Sequence, residues 1–339
     1  MPCSILYHLR TPSASRKCEY CSERLQKLVI TGPLGHIGSH YIRALTPSQA
    51  DEVLLLDNFL TQRYCSLFNL PRGVNYRFVE TDITKANLRD LFAGADAVLH
   101  LAAITDAASS FTNKDQVEQV NYEGTVRVAE AAAQCAAKLI FISTTSVYGT
   151  QAALVDENCA ASELVPQSPY AESKLRAERY LATLAATGGL RYSICRFGTI
   201  YGPSVGMRFH TAVNKFCWQA AMRLPLTVWR TALDQKRPYL DLSDATRALQ
   251  FILESGHFDN QVYNVLTDND TVRQIVDLIK AHLPALQVQL VDTQIMNQLS
   301  YEVANAKFRV LGCPSAENLA DGIAATLALI QNAHSGVRP

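Results

Sequence analysis

The chain has 339 residues, with 31 Lys plus Arg against 31 Asp plus Glu, 48% hydrophobic residues and 18% charged residues. That length supports a large fold of one or two joined domains, and the apolar fraction excludes global disorder. The charge balance provides no coat for nucleic acid or an anionic membrane, and no apolar run approaches the roughly 20 residues that span a bilayer.

Residues 1–27 carry Ser, Arg, Pro and Thr without a period and lack a secretory apolar core, so a flexible N-terminal extension is expected there. Within it, Cys18 and Cys21 form a lone CxxC. Zinc would need two further ligands, so a thiol pair and no metal are expected. The cysteines are scattered and nine in all, which reads as the reduced thiols of a cytoplasmic protein.

The first strand signal is 27–30, followed by a glycine-rich turn and a helical stretch that stops at Thr46-Pro47. Further strands are expected at 52–56, 76–80, 97–101, 139–143 and 192–197. Helices are expected at 86–92, 114–137 and 169–186. In the 114–137 stretch, Val117, Val120, Gly124, Val128, Ala131 and Cys135 share one face, which predicts one long helix. This alternation predicts an α/β fold of Rossmann type, a doubly wound parallel sheet with helices on both faces. After Pro203 the loops lengthen, with helices near 211–222, 272–281 and 318–331. The division is a dinucleotide-binding unit at 28–203, to which 238–258 returns, and a smaller substrate-binding unit from 204–237 and 259–335.

The turn Gly32-Pro33-Leu34-Gly35-His36-Ile37-Gly38 joins the first strand to the first helix. Glycines there let the backbone approach a pyrophosphate, and the helix N-terminus offers it free N–H groups. Asp57 closes the second strand 19 residues after Gly38. A carboxylate there accepts from ribose hydroxyls and repels a 2′-phosphate. Asn58 follows it and no Arg adjoins it, so NAD is favoured over NADP; Arg63 stands a few residues on.

These residues resemble the extended short-chain dehydrogenase/reductases of the nucleotide-sugar epimerase and dehydratase type, over about 28–335. The resemblance extends to Asp82-Ile83, which match that family's adenine contact, and to His100-Leu101-Ala102-Ala103 beside the cofactor. It continues through 143–149 at the active-site strand end, Tyr170-Ala171-Glu172-Ser173-Lys174 as the YxxxK pair, and 196–203. The segment 237–244 matches one whose Arg, here Arg237, holds a diphosphate. The resemblance implies an enzyme that binds a nucleotide-diphosphate sugar, holds NAD and works as a homodimer through the 114–137 and 169–186 helices.

Tyr170 and Lys174 lie four apart and so share a helix face. A free phenol has a pKa near 10, and a neighbouring ammonium would lower it enough to make a base. By resemblance Thr144 bonds the reacting sugar oxygen and Lys174 the nicotinamide ribose. The set suits oxidation of a sugar alcohol to a 4-keto sugar. Family dehydratases carry an Asp-Glu pair after that Thr, and decarboxylases a Glu; here the positions are Thr145 and Ser146. Simple 4-epimerisation is therefore the first expectation. Dehydration, decarboxylation, reduction and a non-catalytic NAD sensor are the alternatives.

Five positions stay open. Asp106 binds sugar hydroxyls or takes part as acid or base, or else caps the following helix. Thr199 stands where the family has an Asn at a phosphate contact. Arg208, His210 and Asn214 are candidate substrate donors in its place, against readings of Arg208 as a surface charge and His210 as a satisfied core group.

Overall fold

Seven strands form one parallel sheet: β1 (Leu25–Thr31), β2 (Ala50–Asp57), β3 (Tyr76–Glu80), β4 (Ala97–His100), β5 (Lys138–Thr144), β6 (Tyr192–Phe197) and β7 (Gln261–Val265). Their order is β7-β6-β5-β4-β1-β2-β3. The computed structural model describes residues 24–149, 154–292 and 300–330. The expected extension, with Cys18 and Cys21, therefore lies outside the described residues up to 23, and β1 already begins at Leu25.

The central strands read as unbroken apolar runs because both of their faces are covered. Alternate residues feed two cores. Leu28, Ile30, Leu55 and Leu99 point to one face and Val29, Leu54, Leu56 and Val98 to the other. The first core takes in the helices His36–Ala44 and Leu242–Ser255, and the second takes in Gly124–Gln134 and Pro169–Ala186.

Two expectations are corrected here. The segment beyond 259 was assigned to the substrate unit, yet β7 pairs with β6 and completes the sheet. Tyr263 and Val265 on β7 bury in the first core, and that burial draws the strand back. The second correction concerns the 114–137 stretch. It is α-helical at Lys114–Val117, π-helical at Glu118–Glu123 and α-helical again at Gly124–Gln134. The wider turn brings Asn121, fully buried, against the loop after β4.

A second layer packs around Val213, Phe216, Val228, Tyr239, Ile275 and Ile323. It is built from the helices Ala212–Ala221, Val272–His282 and Leu319–Ile330 with short strands such as Leu226–Trp229 and Lys236–Asp241. Among the described residues no helix is long and apolar enough to cross a membrane, and no group of His, Cys, Asp and Glu is arranged to hold a metal.

Candidate active site

The strand order reverses between β1 and β4, which opens a crevice at their C-terminal ends. The glycine turn crosses it. Gly32 has φ +68, and a Cβ there would lie 2.6 Å from the Ala102 nitrogen. A Cβ on Gly38 would meet the Pro33 carbonyl at 2.6 Å, so the helix sits tightly on its own turn. Gly35 is the N-cap without a side-chain cap, which leaves the first helical N–H groups for an anion.

His100 fixes the floor of the crevice. Thr125 Oγ1 donates to the Asn121 carbonyl at 2.6 Å and so accepts from His100 Nε2 at 2.9 Å. His100 Nδ1 then accepts from Thr31 Oγ1 at 2.7 Å. Burial, aided by the charge of Lys174, lowers the His100 pKa to about 3, so the ring is neutral. Asn121 clamps Ile104 with two 2.8 Å bonds, to its N–H and from its own amide to the Ile104 carbonyl.

Asp57, Asn58, Asp82, Ile83, Leu101 and Ala102 line the inner part of the crevice, and Ala103 joins them. Asp57 accepts from Leu34 N at 3.3 Å and from Phe59 N at 3.0 Å. Burial raises its pKa, against those amides and the charge of Arg63. Arg63, only a neighbour in the sequence, lines both the inner part and the phosphate turn. The outer part is lined by Gly35, Ile37, Gly38, Asp106 and Arg208. Glycines that admit no side chain, bare helix amides and a strand-end carboxylate together fit a dinucleotide.

The helix Pro169–Ala186 starts where Ser168 Oγ accepts from Ala171 N at 3.2 Å and Pro169 needs no N–H partner. Tyr170 stands at its mouth near Thr144, the last residue of β5, whose hydroxyl works to lower the pKa of the phenol. Lys174 lies deeper. It is 3% exposed, and its Nζ sits 4.6 Å from the centroid of the Phe141 ring. Burial brings its pKa down to about 7, with Glu178 opposing.

Burial raises the pKa of Tyr170, and the charge that offsets this is on Arg208, followed by the Thr144 hydroxyl. Four-residue spacing places Tyr170 and Lys174 on one helix face, with the Lys174 amine over the Phe141 ring of β5. Beneath Lys174, Glu178 takes three bonds from Arg196, at 3.0, 3.2 and 2.6 Å, and one from Ser143. Arg196 also donates to the Tyr148 hydroxyl at 3.0 Å, and that hydroxyl donates to Asn264 Oδ1 at 2.8 Å.

A second cavity, about 540 Å³, opens beside Tyr170's helix and reaches into the second layer. Thr145, Ser146, Thr199, Lys215, Trp229 and Arg237 line it, and Tyr301 closes it by donating to the Thr145 carbonyl at 3.2 Å. The Arg237 guanidinium lies 5.4 Å from the Tyr301 ring centroid and donates to Gln235 Oε1 at 3.1 Å. His210 borders both cavities, and burial lowers its pKa to about 4.

Of the open positions, Asp106 and Asn214 separate here. Asp106 Oδ1 accepts from Ala108 N at 2.9 Å and Ser109 N at 3.2 Å, so it caps the short turn after β4 while lining the outer crevice. Asn214 is fully buried, with Oδ1 on Gly202 N and Nδ2 on the Arg208 carbonyl. Both polar groups serve the loop, and its reading as a substrate donor is corrected. His36 is a buried side chain with Nε2 on the Gly202 carbonyl at 2.8 Å. Lys215, Trp229 and Tyr301 were missed; each stands alone in sequence, and only the fold brings them together.

A model of the NAD-dependent epimerase/dehydratase family matches residues 28–265. The chain belongs to this family. Among its relatives is YtcB of Bacillus subtilis (strain 168), named an uncharacterized UDP-glucose epimerase. It is 29% identical over 264 residues, covering 75% of this chain and 81% of that protein. An Arabidopsis thaliana relative is a trifunctional UDP-glucose 4,6-dehydratase, UDP-4-keto-6-deoxy-D-glucose 3,5-epimerase and UDP-4-keto-L-rhamnose reductase. It is 28% identical, with 89% of this chain but only 46% of that longer protein covered. Among solved structures, the UDP-glucuronic acid 4-epimerase of Bacillus cereus, in complex with UDP-glucuronic acid and NAD, is 25% identical with a TM-score of 0.81. That match covers 91% of this chain and 99% of the other. The fold is the family's Rossmann-type one, and NAD is the family's cofactor.

Proposed function

We propose that this family member is a cytoplasmic nucleotide-sugar 4-epimerase that works through a transient 4-keto sugar. The observation that carries the reading is that Tyr170 and Thr144 stand together beside Thr145 and Ser168, which line a cavity shared with Lys215 and Arg237, while a separate crevice is suited to a dinucleotide. Bound NAD supplies the hydride acceptor and returns the hydride. In this reading Tyr170 takes the proton of the sugar 4-hydroxyl and gives it back after the ring has turned over. Thr144 holds the reacting oxygen, and Lys174, below them, orients the nicotinamide ribose. Arg237 and Lys215 hold the diphosphate, the Arg with paired N–H groups and the Lys as a point charge. Trp229 and Tyr301 give the nucleoside apolar walls.

Thr145 and Ser146 reach the sugar cavity without a carboxylate. Elimination of water from a 4-keto sugar needs an acid and a base at the neighbouring carbons, so return of the hydride is the simpler outcome. The test is incubation with a panel of UDP-, dTDP-, GDP- and CDP-sugars, read by NMR. Inversion at C4 of one of them is expected. Loss of water, release of carbon dioxide or accumulation of a reduced product would replace the reading. Tyr170→Phe is expected to keep NAD and lose roughly 10³-fold in turnover, within the usual range for a general base.

A further inference from the structure

Among the described residues, His210 alone lines both the outer part of the dinucleotide crevice and the sugar cavity. The loop after β4 crosses the same passage. Thr105 and Asp106 line the crevice, and the next two residues, Ala107 and Ala108, line the cavity. His210 is an exposed side chain, and the space it borders is that of the two cavities.

The backbone on either side of His210 is held. Upstream, His36 Nε2 donates to the Gly202 carbonyl at 2.8 Å, Ser204 Oγ to the His36 carbonyl at 3.0 Å and Gly206 N to Ser39 Oγ at 2.9 Å. A Cβ at Gly206 would stand 2.6 Å from the Gly35 carbonyl, so this loop lies flat on the dinucleotide turn. Asn214 closes it from the other side, accepting from Gly202 N at 3.2 Å and donating to the Arg208 carbonyl at 3.0 Å. The Arg208 guanidinium donates to Thr105 Oγ1 and so ties the loop to the β4 loop across the passage. Downstream, Thr211 Oγ1 donates to the Ile200 carbonyl at 3.4 Å, and the Thr211 carbonyl accepts from Lys215 N at 2.9 Å at the start of the helix Ala212–Ala221. A residue whose backbone is fixed on both sides gives up little ordering entropy when a ligand meets it.

The chemistry of the ring follows from its neighbours. Burial comes first among the influences that lower its pKa to about 4, with the charges of Arg208 and Arg63 added, while Asp106 and the Thr105 backbone oppose them. The imidazole is therefore neutral at pH 7 and carries one N–H donor and one bare acceptor nitrogen. No Asp or Glu among the described residues lines the sugar cavity, and its cations are Lys215 and Arg237. A sugar hydroxyl that enters it must place its proton on an acceptor, and an imidazole nitrogen is a strong one.

We propose that His210 is a specificity-determining residue: from the passage between the two cavities it accepts a hydrogen bond from a hydroxyl of the bound sugar. The inference rests on the nucleotide-sugar reading of the second cavity. It gives the sugar, and not only the nucleotide, a fixed partner next to the cofactor.

The test uses the full chain with NAD bound. It is titrated by calorimetry with UDP-, dTDP-, GDP- and CDP-glucose, and each time with the matching nucleoside diphosphate. The ratio of the two affinities is the gain that comes from the sugar, and one of the four is expected to show such a gain. His210→Phe keeps a ring and has no acceptor. It is expected to weaken that nucleotide sugar about tenfold, the worth of one net hydrogen bond, and to leave the affinity for the diphosphate and for NAD unchanged. His210→Gln carries an acceptor again and should recover most of the loss. His210→Ala carries the same expectation as the Phe variant should the latter not fold. Equal weakening of diphosphate and nucleotide sugar, a loss confined to NAD, or four nucleotide sugars that bind no better than their diphosphates would each overturn the proposal. The readout is binding, so it stands apart from inversion. A sugar held through His210 but unchanged at C4 sinks the 4-epimerase reading alone. Inversion at C4 with His210→Phe binding as tightly as the parent sinks this proposal alone.

Discussion

Lys174 shows how far depth changes a residue whose identity is plain in sequence. The YxxxK spacing announces it, yet four-residue periodicity cannot say how far a side chain sinks towards a sheet. The amine is buried over Phe141 of β5, and burial lowers its pKa to about 7. In the unfolded chain it titrates near 10.4. The native state therefore binds fewer protons across that interval, and stability rises with pH from about 7 towards 10. Below about 7 the cost of a buried charge is present in full. Lys174→Met is expected to unfold at a higher temperature than the parent at pH 6. The gain should shrink as pH rises to 9, by at most about 1.4 kcal/mol per pH unit. A pH-independent difference between the two melting curves would contradict this. The same variant should lose most turnover, since a Met there has no donor for the nicotinamide ribose. The place of Asp57 was legible for the opposite reason: standing at a strand end after a glycine turn is a linear property.

Elements were read well where one period covers a whole segment. The Pro169–Ala186 helix and the Tyr76–Glu80 and Tyr192–Phe197 strands fall where expected because caps and apolar runs bound them. The π-helical turn at Glu118–Glu123 was not legible, since its cause is a bond between Asn121 and Ile104 across the fold. The same holds for the network that ties the Pro169–Ala186 helix to β5, β6 and β7 through Ser143, Glu178, Arg196, Tyr148 and Asn264. Arg196 and Glu178 are each about 5% exposed, so removing one partner strands a buried charge. Arg196→Met is expected to destabilise by about 3–5 kcal/mol, measured by urea denaturation. Adding Glu178→Gln to it should recover part of that loss. A double variant as unstable as the single one would show that packing, not charge, dominates there.

At the scale of the molecule, composition and strand–helix alternation were enough for a doubly wound sheet, but not for where the chain re-enters it. β7 joins the sheet 64 positions after β6 ends at Phe197, by a pairing that starts at Gln261. Return segments of that kind are set by which apolar face remains uncovered, and a local pattern does not contain that information. The sugar cavity was equally hidden, because Thr145, Lys215, Trp229, Arg237 and Tyr301 converge from five separate stretches. We expect a homodimer through the outer faces of the helical segments 114–134 and Pro169–Ala186. Within one chain these already pair by Arg176 with Glu118 at 2.7 Å and by Tyr180 with Glu130 at 2.7 Å. Light scattering after size-exclusion chromatography should give twice the chain mass, and a single-chain mass would remove the expectation.

A strand of backbone too crowded for one methyl group makes a poor pivot. With Gly206 seated on the carbonyl of Gly35, the wall that carries Arg208 rides with the nucleotide-gripping helix as one rigid block. The far rim of the second cavity, around Trp229 and Tyr301, lies outside that block.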